Sequence, residues 1–137
     1  MRKHWEQDHP LEVWKELKSL SSKCHRANVA FGVGLSPFEI HFQWNAKTKR
    51  LLKDKVTKLE ELGITYLGLF FDDMKGLADL ADTQLEIVNH VRGFTDKTLL
   101  FCPTYYSDDL LLDKVFGQRS PDYLQTIGTL PTKIQIF

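Results

Sequence analysis

Four short apolar segments follow one another along the chain at nearly constant spacing, and this spacing limits the fold more than any other feature of the sequence. With Val29, Thr65, Thr98 and Lys133 as reference points within them, the intervals are 36, 33 and 35 residues. Each segment has the length and composition of a strand. Amphipathic stretches with helical periodicity lie between the segments. The sequence therefore predicts repeated β/α units built on a parallel sheet.

The individual elements can be placed from the same patterns. Strands are predicted over residues 29–35, 64–71, 98–102 and 133–137. Helices are predicted over residues 9–23, 45–62, 78–93 and 120–128. Asp108 and Asp109 predict the cap of one further helical turn. The first two strands are apolar almost throughout, which predicts that the first is buried and that the second is covered on both faces.

The length of the chain limits how many such units it can hold. Eight β/α units form a closed barrel of about 250 residues, and the 137 residues present are enough for about half of one. A complete five-stranded doubly wound domain would fit the length, but only four strands are predicted. We therefore expect an α/β fold that is about half of a (β/α)8 TIM barrel. When isolated, such a half barrel leaves strand edges open and is expected to be loosely folded.

Composition and charge argue against several classes of partner. Lysine plus arginine and aspartate plus glutamate both number 18, so the formal net charge is zero. No basic field is therefore available to bind nucleic acid or an anionic membrane. The apolar segments are far shorter than the roughly 20 residues of a transmembrane helix. No secretory apolar region follows Met1, and two cysteines fit a reducing compartment, so we expect a cytoplasmic protein.

Two adjacent carboxylates, Asp72 and Asp73, come directly after the second apolar strand. In parallel α/β sheets, ligands bind at the carboxyl ends of the strands. Adjacent carboxylates repel each other, so this position favours a function over stability. In a glycosidase one carboxyl can stay ionised while the other holds a proton, whereas in phosphoryl transfer the pair could hold Mg²⁺. Alternatively, Asp73 caps the following turn and Asp72 is solvated.

The third strand is followed by a second candidate segment, residues 102–106. Its tyrosines, Tyr105 and Tyr106, offer a ring for stacking and a hydroxyl for hydrogen bonding, which suits a sugar or an acetamido group. The alternative is a rigid loop with aromatic packing. Cys102 is interpreted as a wall of a pocket or a core residue, because the sequence places no histidine to activate it.

The histidines do not indicate a metal site. The five of them, His4, His9, His25, His41 and His90, lack the spacing of metal ligands. We interpret them as surface or helix-end residues.

Four segments read together resemble one enzyme family. They occur in family order and at about family spacing across nearly the whole chain, and they are residues 33–37 (VGLSP), 69–74 (LFFDDM), 100–106 (LFCPTYY) and 121–128 (PDYLQTIG). The resemblance is to the catalytic domain of glycoside hydrolase family 84, which contains protein O-GlcNAcases and bacterial β-N-acetylglucosaminidases. It implies that residues 1–137 are a partial catalytic barrel truncated at both ends, roughly strands 3 to 6 with the intervening helices.

The resemblance also implies a mechanism and a site. Enzymes of the family cleave terminal β-linked N-acetylglucosamine with retention, and the acetamido oxygen of the substrate acts as nucleophile through an oxazoline-like intermediate. Asp72 would match the carboxylate that orients the acetamido group, and Asp73 the general acid/base. Tyr106 would match a tyrosine near the anomeric centre, and Cys102 a residue lining the acetamido pocket. No metal or cofactor is implied, and the partner is a glycoprotein or glycan that carries GlcNAc.

The chain departs from the family pattern by lacking some of its residues. The glycine-rich segment, the sugar-binding lysine and the later residues that grip the sugar would lie before Met1 or beyond Phe137. We therefore expect the isolated chain to be inactive without the missing barrel strands. The alternative function, from another class, is a non-catalytic Mg²⁺-binding signalling domain of the receiver type, which also places acidic residues after an apolar strand.

Overall fold

The computed structural model describes residues 2–72 and 74–137. Asp73, the predicted general acid, lies outside the described residues. The helices and strands, in chain order, are α1 (Leu11–Arg26), β1 (Gly32–Leu35), α2 (Ala46–Glu60), β2 (Tyr66–Phe70), α3 (Leu80–Arg92), β3 (Thr98–Cys102), α4 (Leu110–Phe116), α5 (Tyr123–Ile127) and β4 (Gln135–Ile136). Short 3₁₀ turns precede α1 and α2, at Arg2–His4 and Ile40–Gln43.

The described strands form one parallel sheet in the order β1-β2-β3-β4. The register pairs Gly34 with Gly68, Phe70 with Cys102 and Phe101 with Ile136. Sequence neighbours are therefore neighbours in the sheet, and each crossover contains at least one helix. This confirms the predicted α/β fold with a parallel sheet.

Helices cover one face of the sheet, and the core lies between them. The strand residues on that face are almost fully buried, among them Leu67, Leu69, Leu99 and Phe101. The helices contribute apolar positions at helical spacing, such as Leu52, Val56 and Leu59 on α2 and Leu80, Ile87 and Val88 on α3. The apolar residues whose spacing predicted the helices thus form the stripe that each helix buries against the sheet.

The opposite face of the sheet is only partly covered. It carries Gly34 and Gly68, over which the ring of Phe70 lies. A Cβ added at Gly34 would come within 2.2 Å of that ring, and one at Gly68 within 2.8 Å. A cavity of about 280 Å³ opens beside these residues and Leu100. The second strand was predicted to be covered on both faces, and its consecutive residues Leu67, Gly68 and Leu69 are all buried. Helices cover one side at this point, and the Phe70 ring covers Gly68 on the other.

The first strand also differs from its prediction. It is shorter than residues 29–35, and Gly32 and Gly34 are exposed while Leu35 alone is buried. Because β1 lies at the edge of the sheet, it has a hydrogen-bonded neighbour on one side only. Apolar composition predicted the strand correctly but could not show its position at the edge.

Two helix starts are stabilised by side chains that accept backbone N–H groups. The Asn45 side chain accepts from the N–H groups of Lys47 and Thr48, and the Thr48 hydroxyl accepts from the N–H of Asn45, which completes a capping box for α2. Asp109 accepts from the N–H of Leu111 at 2.8 Å, so the predicted cap is confirmed for Asp109. Among the described helices, none has the length and apolar character needed to span a membrane.

Candidate functional site

The predicted site residues follow the carboxyl ends of β2 and β3, which are adjacent in the sheet. Phe70 and Cys102 are paired in register, and the N–H of Phe71 donates to the carbonyl of Cys102 at 2.8 Å. Asp72 comes next in the chain and is half-buried, so it is not the fully solvated residue of the alternative interpretation. The structure therefore brings the backbone of Asp72 close to the end of the strand that carries Cys102.

The segment after β3 separates its two tyrosines. Tyr105 is fully buried, with its ring packed edge-on against Phe116 and Tyr123. Tyr106 is 61% exposed. The aromatic-packing interpretation is thus correct for Tyr105, while Tyr106 presents its ring and hydroxyl to solvent. Cys102 is half-buried as the last residue of β3.

A buried hydrogen-bond network lies behind Asp72. The Thr104 hydroxyl donates to the carbonyl of Phe71 at 2.5 Å and accepts from the Gln84 side-chain amide at 2.8 Å. The Tyr123 hydroxyl accepts from the N–H of Thr104 at 3.2 Å and donates to the side-chain carbonyl of Gln84 at 2.5 Å. Thr104, Gln84 and Tyr123 are each at most 1% exposed. Burial raises the pKa of Tyr123 to about 12, so its hydroxyl keeps its proton at neutral pH.

This network was not predicted from the sequence. Gln84 lies on the buried stripe of α3, between Ala81 and Val88. A polar residue at an apolar position of an amphipathic helix was the signal that could have indicated it, since buried amides need partners. The sequence contained no sign of which partners those are.

The loop that contains Asp72 is also tied to the end of α4. The N–H of Gly76 donates to the carbonyl of Phe116 at 2.6 Å, and the Tyr105 hydroxyl donates to the carbonyl of Gly117 at 2.5 Å. A Cβ built on Gly76 would lie 2.1 Å from the Tyr105 hydroxyl and 3.1 Å from the Gly117 carbonyl oxygen. The loops after β2 and β3 therefore meet at a contact that only glycine fits.

An arginine holds the segment that follows Tyr106. The Arg119 guanidinium pairs with the Asp113 carboxylate at 3.2 Å, and it donates to the carbonyls of Ser107 and Asp109. It also lies over the Tyr105 ring, 5.3 Å from the ring centre. Because guanidinium is a planar group with five donors, one side chain can join these partners. The backbone next to Tyr106 is thereby fixed to α4.

The histidines were interpreted as surface or helix-end residues, and His41 lies in the last turn of the 3₁₀ helix Ile40–Gln43 but is buried. This side chain is 7% exposed and stacks against Phe42 at a ring separation of 4.1 Å. Burial lowers the pKa of His41, and the carboxylates of Glu39 and Asp79 oppose this shift only in part. Phe42, in turn, is 45% exposed. In this 3₁₀ turn the polar side chain is therefore buried and the neighbouring apolar one is exposed.

The lowered pKa of His41 predicts how stability depends on pH. The folded protein binds a proton at His41 more weakly than the unfolded chain, whose histidines titrate near 6.5. The free energy of unfolding should therefore fall as pH drops below about 6.5, by at most about 1.4 kcal/mol per pH unit for this group. Urea denaturation at pH 7.5, 6.5 and 5.5 measures this slope, and His41→Asn should reduce it.

His9 provides the control, because burial also lowers its pKa. A His9→Asn variant measures how much His9 contributes to the pH dependence of the free energy of unfolding. If His41→Asn keeps the full wild-type loss of stability between pH 6.5 and 5.5, the assignment to His41 is wrong.

The described side chains do not form a metal site. Within residues 2–72 and 74–137, no three histidine, cysteine, aspartate or glutamate side chains come together in an arrangement that could hold a metal ion. The disposition of Asp72 alone therefore does not identify a cation site.

Comparisons with known proteins agree on one family. A family model described as beta-N-acetylglucosaminidase matches residues 1–137. Protein O-GlcNAcase from Rattus norvegicus and from Mus musculus are each 28% identical to this chain over 139 aligned residues, which cover 93% of the chain. The chain spans about 15% of the length of these curated relatives.

A solved structure has the same fold. A mutant of the Thermobaculum terrenum O-GlcNAc hydrolase superposes with a TM-score of 0.78 at 22% sequence identity. The match covers 99% of this chain and 31% of that one. At this level of identity the similarity describes the fold.

Proposed function

This chain belongs to the β-N-acetylglucosaminidase family, glycoside hydrolase family 84, and from that premise we propose that it supplies the acidic part of a retaining β-N-acetylglucosaminidase site. The substrate is a terminal β-linked GlcNAc. The acetamido oxygen of the substrate attacks the anomeric carbon to form an oxazoline-like intermediate, which water then opens. The chain spans about 15% of the length of its curated relatives, so the activity of the whole protein is part of this proposal.

The observation that carries this proposal is the position of Asp72. Asp72 follows β2 at the carboxyl edge of a parallel sheet, and the next strand ends at Cys102 with Tyr106 four residues further on. This is the edge at which β/α folds bind their substrates. Asp72 is half-buried, so part of the residue remains in contact with solvent.

The proposed roles follow from what each step needs. An acetamido N–H needs an ionised acceptor, and we assign this to Asp72. The leaving oxygen needs a proton donor that later becomes a base, and we assign this to Asp73. Tyr106 is exposed at the same edge and is assigned to hydrogen bonding near the anomeric centre. Cys102, whose side chain is half-buried, is assigned to the wall of the acetamido pocket.

We further propose that the sheet is about half of a (β/α)8 barrel. Helices cover one face, while the face with Gly34, Gly68 and Phe70 remains partly open beside a cavity of about 280 Å³. In a TIM barrel the inner face is filled by side chains from all the strands. The open face of this sheet is accordingly assigned to the barrel interior, and the edges of β1 and β4 to pairing with further strands.

For the substrate, we propose a GlcNAc-modified protein. The rat and mouse relatives are named protein O-GlcNAcase, and the Tyr106 side chain is exposed to solvent. The family match covers the whole chain, which favours a hydrolase over the Mg²⁺-binding signalling domain considered above.

The test is whether the acetamido group is required. The complete gene product should hydrolyse 4-nitrophenyl N-acetyl-β-glucosaminide and leave the matching β-glucoside, which has no acetamido group, essentially untouched. We expect the two kcat/KM values to differ by at least about 100-fold, since the glucoside has no internal nucleophile. Comparable rates for both substrates would refute substrate-assisted catalysis by this protein.

A further inference from the structure

We propose that Thr104, Gln84 and Tyr123 act together as positioning residues for Asp72. This inference rests on the proposed function and extends it to three buried side chains from three separate parts of the chain. None of them is placed to touch a substrate at the carboxyl edge, because each is at most 1% exposed. Their effect on the reaction would be transmitted through the backbone.

The direction of every hydrogen bond in the network follows from its chemistry. The Phe71 carbonyl can only accept, so Thr104 must give it the hydroxyl proton and must accept from the Gln84 NH₂ group. The N–H of Thr104 can only donate, so the Tyr123 hydroxyl accepts there and gives its own proton to the Gln84 carbonyl. One arrangement satisfies all four hydrogen bonds, and it also determines the orientation of the Gln84 amide.

The network ends on the peptide unit that leads into Asp72. The carbonyl of Phe71 and the N–H of Asp72 belong to the same rigid plane. The Phe71 N–H is bonded to Cys102 on β3, while its carbonyl is bonded to Thr104 beyond the end of that strand. Both sides of Phe71 are thus held, and the direction in which the chain enters Asp72 is set by the Thr104 hydroxyl.

Energetic reasons also favour a specific role. A buried network is stable when every member is satisfied, and removing one member leaves others without partners. Three apolar residues could fill this space without any of these requirements. The polar network costs desolvation, and it provides a fixed orientation for the backbone that enters Asp72.

The experiment compares Thr104→Val with Thr104→Ser in the complete gene product. Valine has nearly the shape of threonine but cannot donate to Phe71 or accept from Gln84, whereas serine retains the hydroxyl. We expect Thr104→Val to lower kcat by about 10- to 100-fold, because a displacement of about 1 Å can cost that much, with KM within about threefold of wild type. Thr104→Ser should recover most of the activity. The loss should be equal for good and poor leaving groups, since Asp72 is assigned to the acetamido step.

Val88→Ala is the matched control for loss of stability. Val88 is a fully buried residue of α3 outside the network. The Val88→Ala variant should have a smaller folded fraction, and the kcat of its folded molecules should be unchanged. Unchanged kcat in Thr104→Val, or the same fall in kcat in Val88→Ala at equal folded fraction, would overturn the inference.

A measurement that does not depend on activity distinguishes failure of the positioning network from failure of the proposed function. Amide hydrogen exchange of a peptide spanning residues 66–76 should be faster in Thr104→Val than in Val88→Ala if Thr104 holds this backbone. A wild-type protein without activity on N-acetylglucosaminides would refute the proposed function, and exchange equal in both variants would refute the positioning network.

Discussion

Replacing Asp73 by asparagine in the complete gene product is expected to reduce turnover of substrates with poor leaving groups by about 10²- to 10⁴-fold, the contribution of a general acid. Activated aryl N-acetylglucosaminides should be affected far less in the first step, because their leaving oxygen hardly needs a proton. The slope of log kcat/KM against the pKa of the leaving group should therefore become steeper. Steady-state kinetics with a series of substituted phenyl N-acetylglucosaminides measures it.

Asp72→Asn is the matched comparison. It replaces the neighbouring carboxylate by the same amide, and it should slow all members of the series by a similar factor, since every substrate needs the acetamido oxygen. Equal slopes for the two variants would contradict the separate roles, and exchanged slopes would mean that the roles are reversed.

Replacing Gly76 by alanine is expected to destabilise the junction between the loops after β2 and β3. The new Cβ would lie 2.1 Å from the Tyr105 hydroxyl, and the Gly117 carbonyl oxygen would be 3.1 Å away. Because the Tyr105 ring is fully buried, it has little room to withdraw. We expect a loss of about 1 to 3 kcal/mol in the free energy of unfolding, the usual cost of overpacking, measured by urea denaturation.

A double variant isolates the cause of that loss. Tyr105→Phe removes the hydroxyl that the new Cβ would meet, so Gly76→Ala should cost less in the Tyr105→Phe background than in the wild type. Strictly additive effects would show that the two residues do not clash and that the junction is not the reason for glycine at this position.

The order of helices and strands could be predicted because burial imposes a period on the sequence. Leu52, Val56 and Leu59 repeat at helical spacing and all pack against the sheet. The strand at residues 98–102 was predicted with the bounds that the structure shows. Such patterns are local, so they can be interpreted without knowing which element packs against them.

Coverage of the sheet could not be predicted in the same way. An apolar run indicates burial, but it does not show which elements provide it. Phe70 fills the space above Gly34 and Gly68, so on that face a single ring covers the centre of β2. The exposure of β1 likewise follows from its position in the strand order, which composition does not contain.

In the candidate site, too, the locally determined features could be predicted and the long-range contacts could not. Asp72, Cys102 and Tyr106 could be selected because they lie at or shortly after the ends of strands, where the sequence order itself brings them to one edge. The network behind them joins residues that are 19, 20 and 39 positions apart. Contacts at such separations depend on the angle of each helix and the path of each loop, which a single sequence does not show.

The most direct measurement of the central claim is the product that Asp73→Asn forms with 2,4-dinitrophenyl N-acetyl-β-glucosaminide and sodium azide. With Asp73 absent, the activated substrate can still form the oxazoline-like intermediate, and azide needs no general base to open it. The account predicts faster turnover with azide and the β-configured glycosyl azide by proton NMR, with no such rescue of Asp72→Asn. An α-configured azide, or rescue of Asp72→Asn in place of Asp73→Asn, would contradict it.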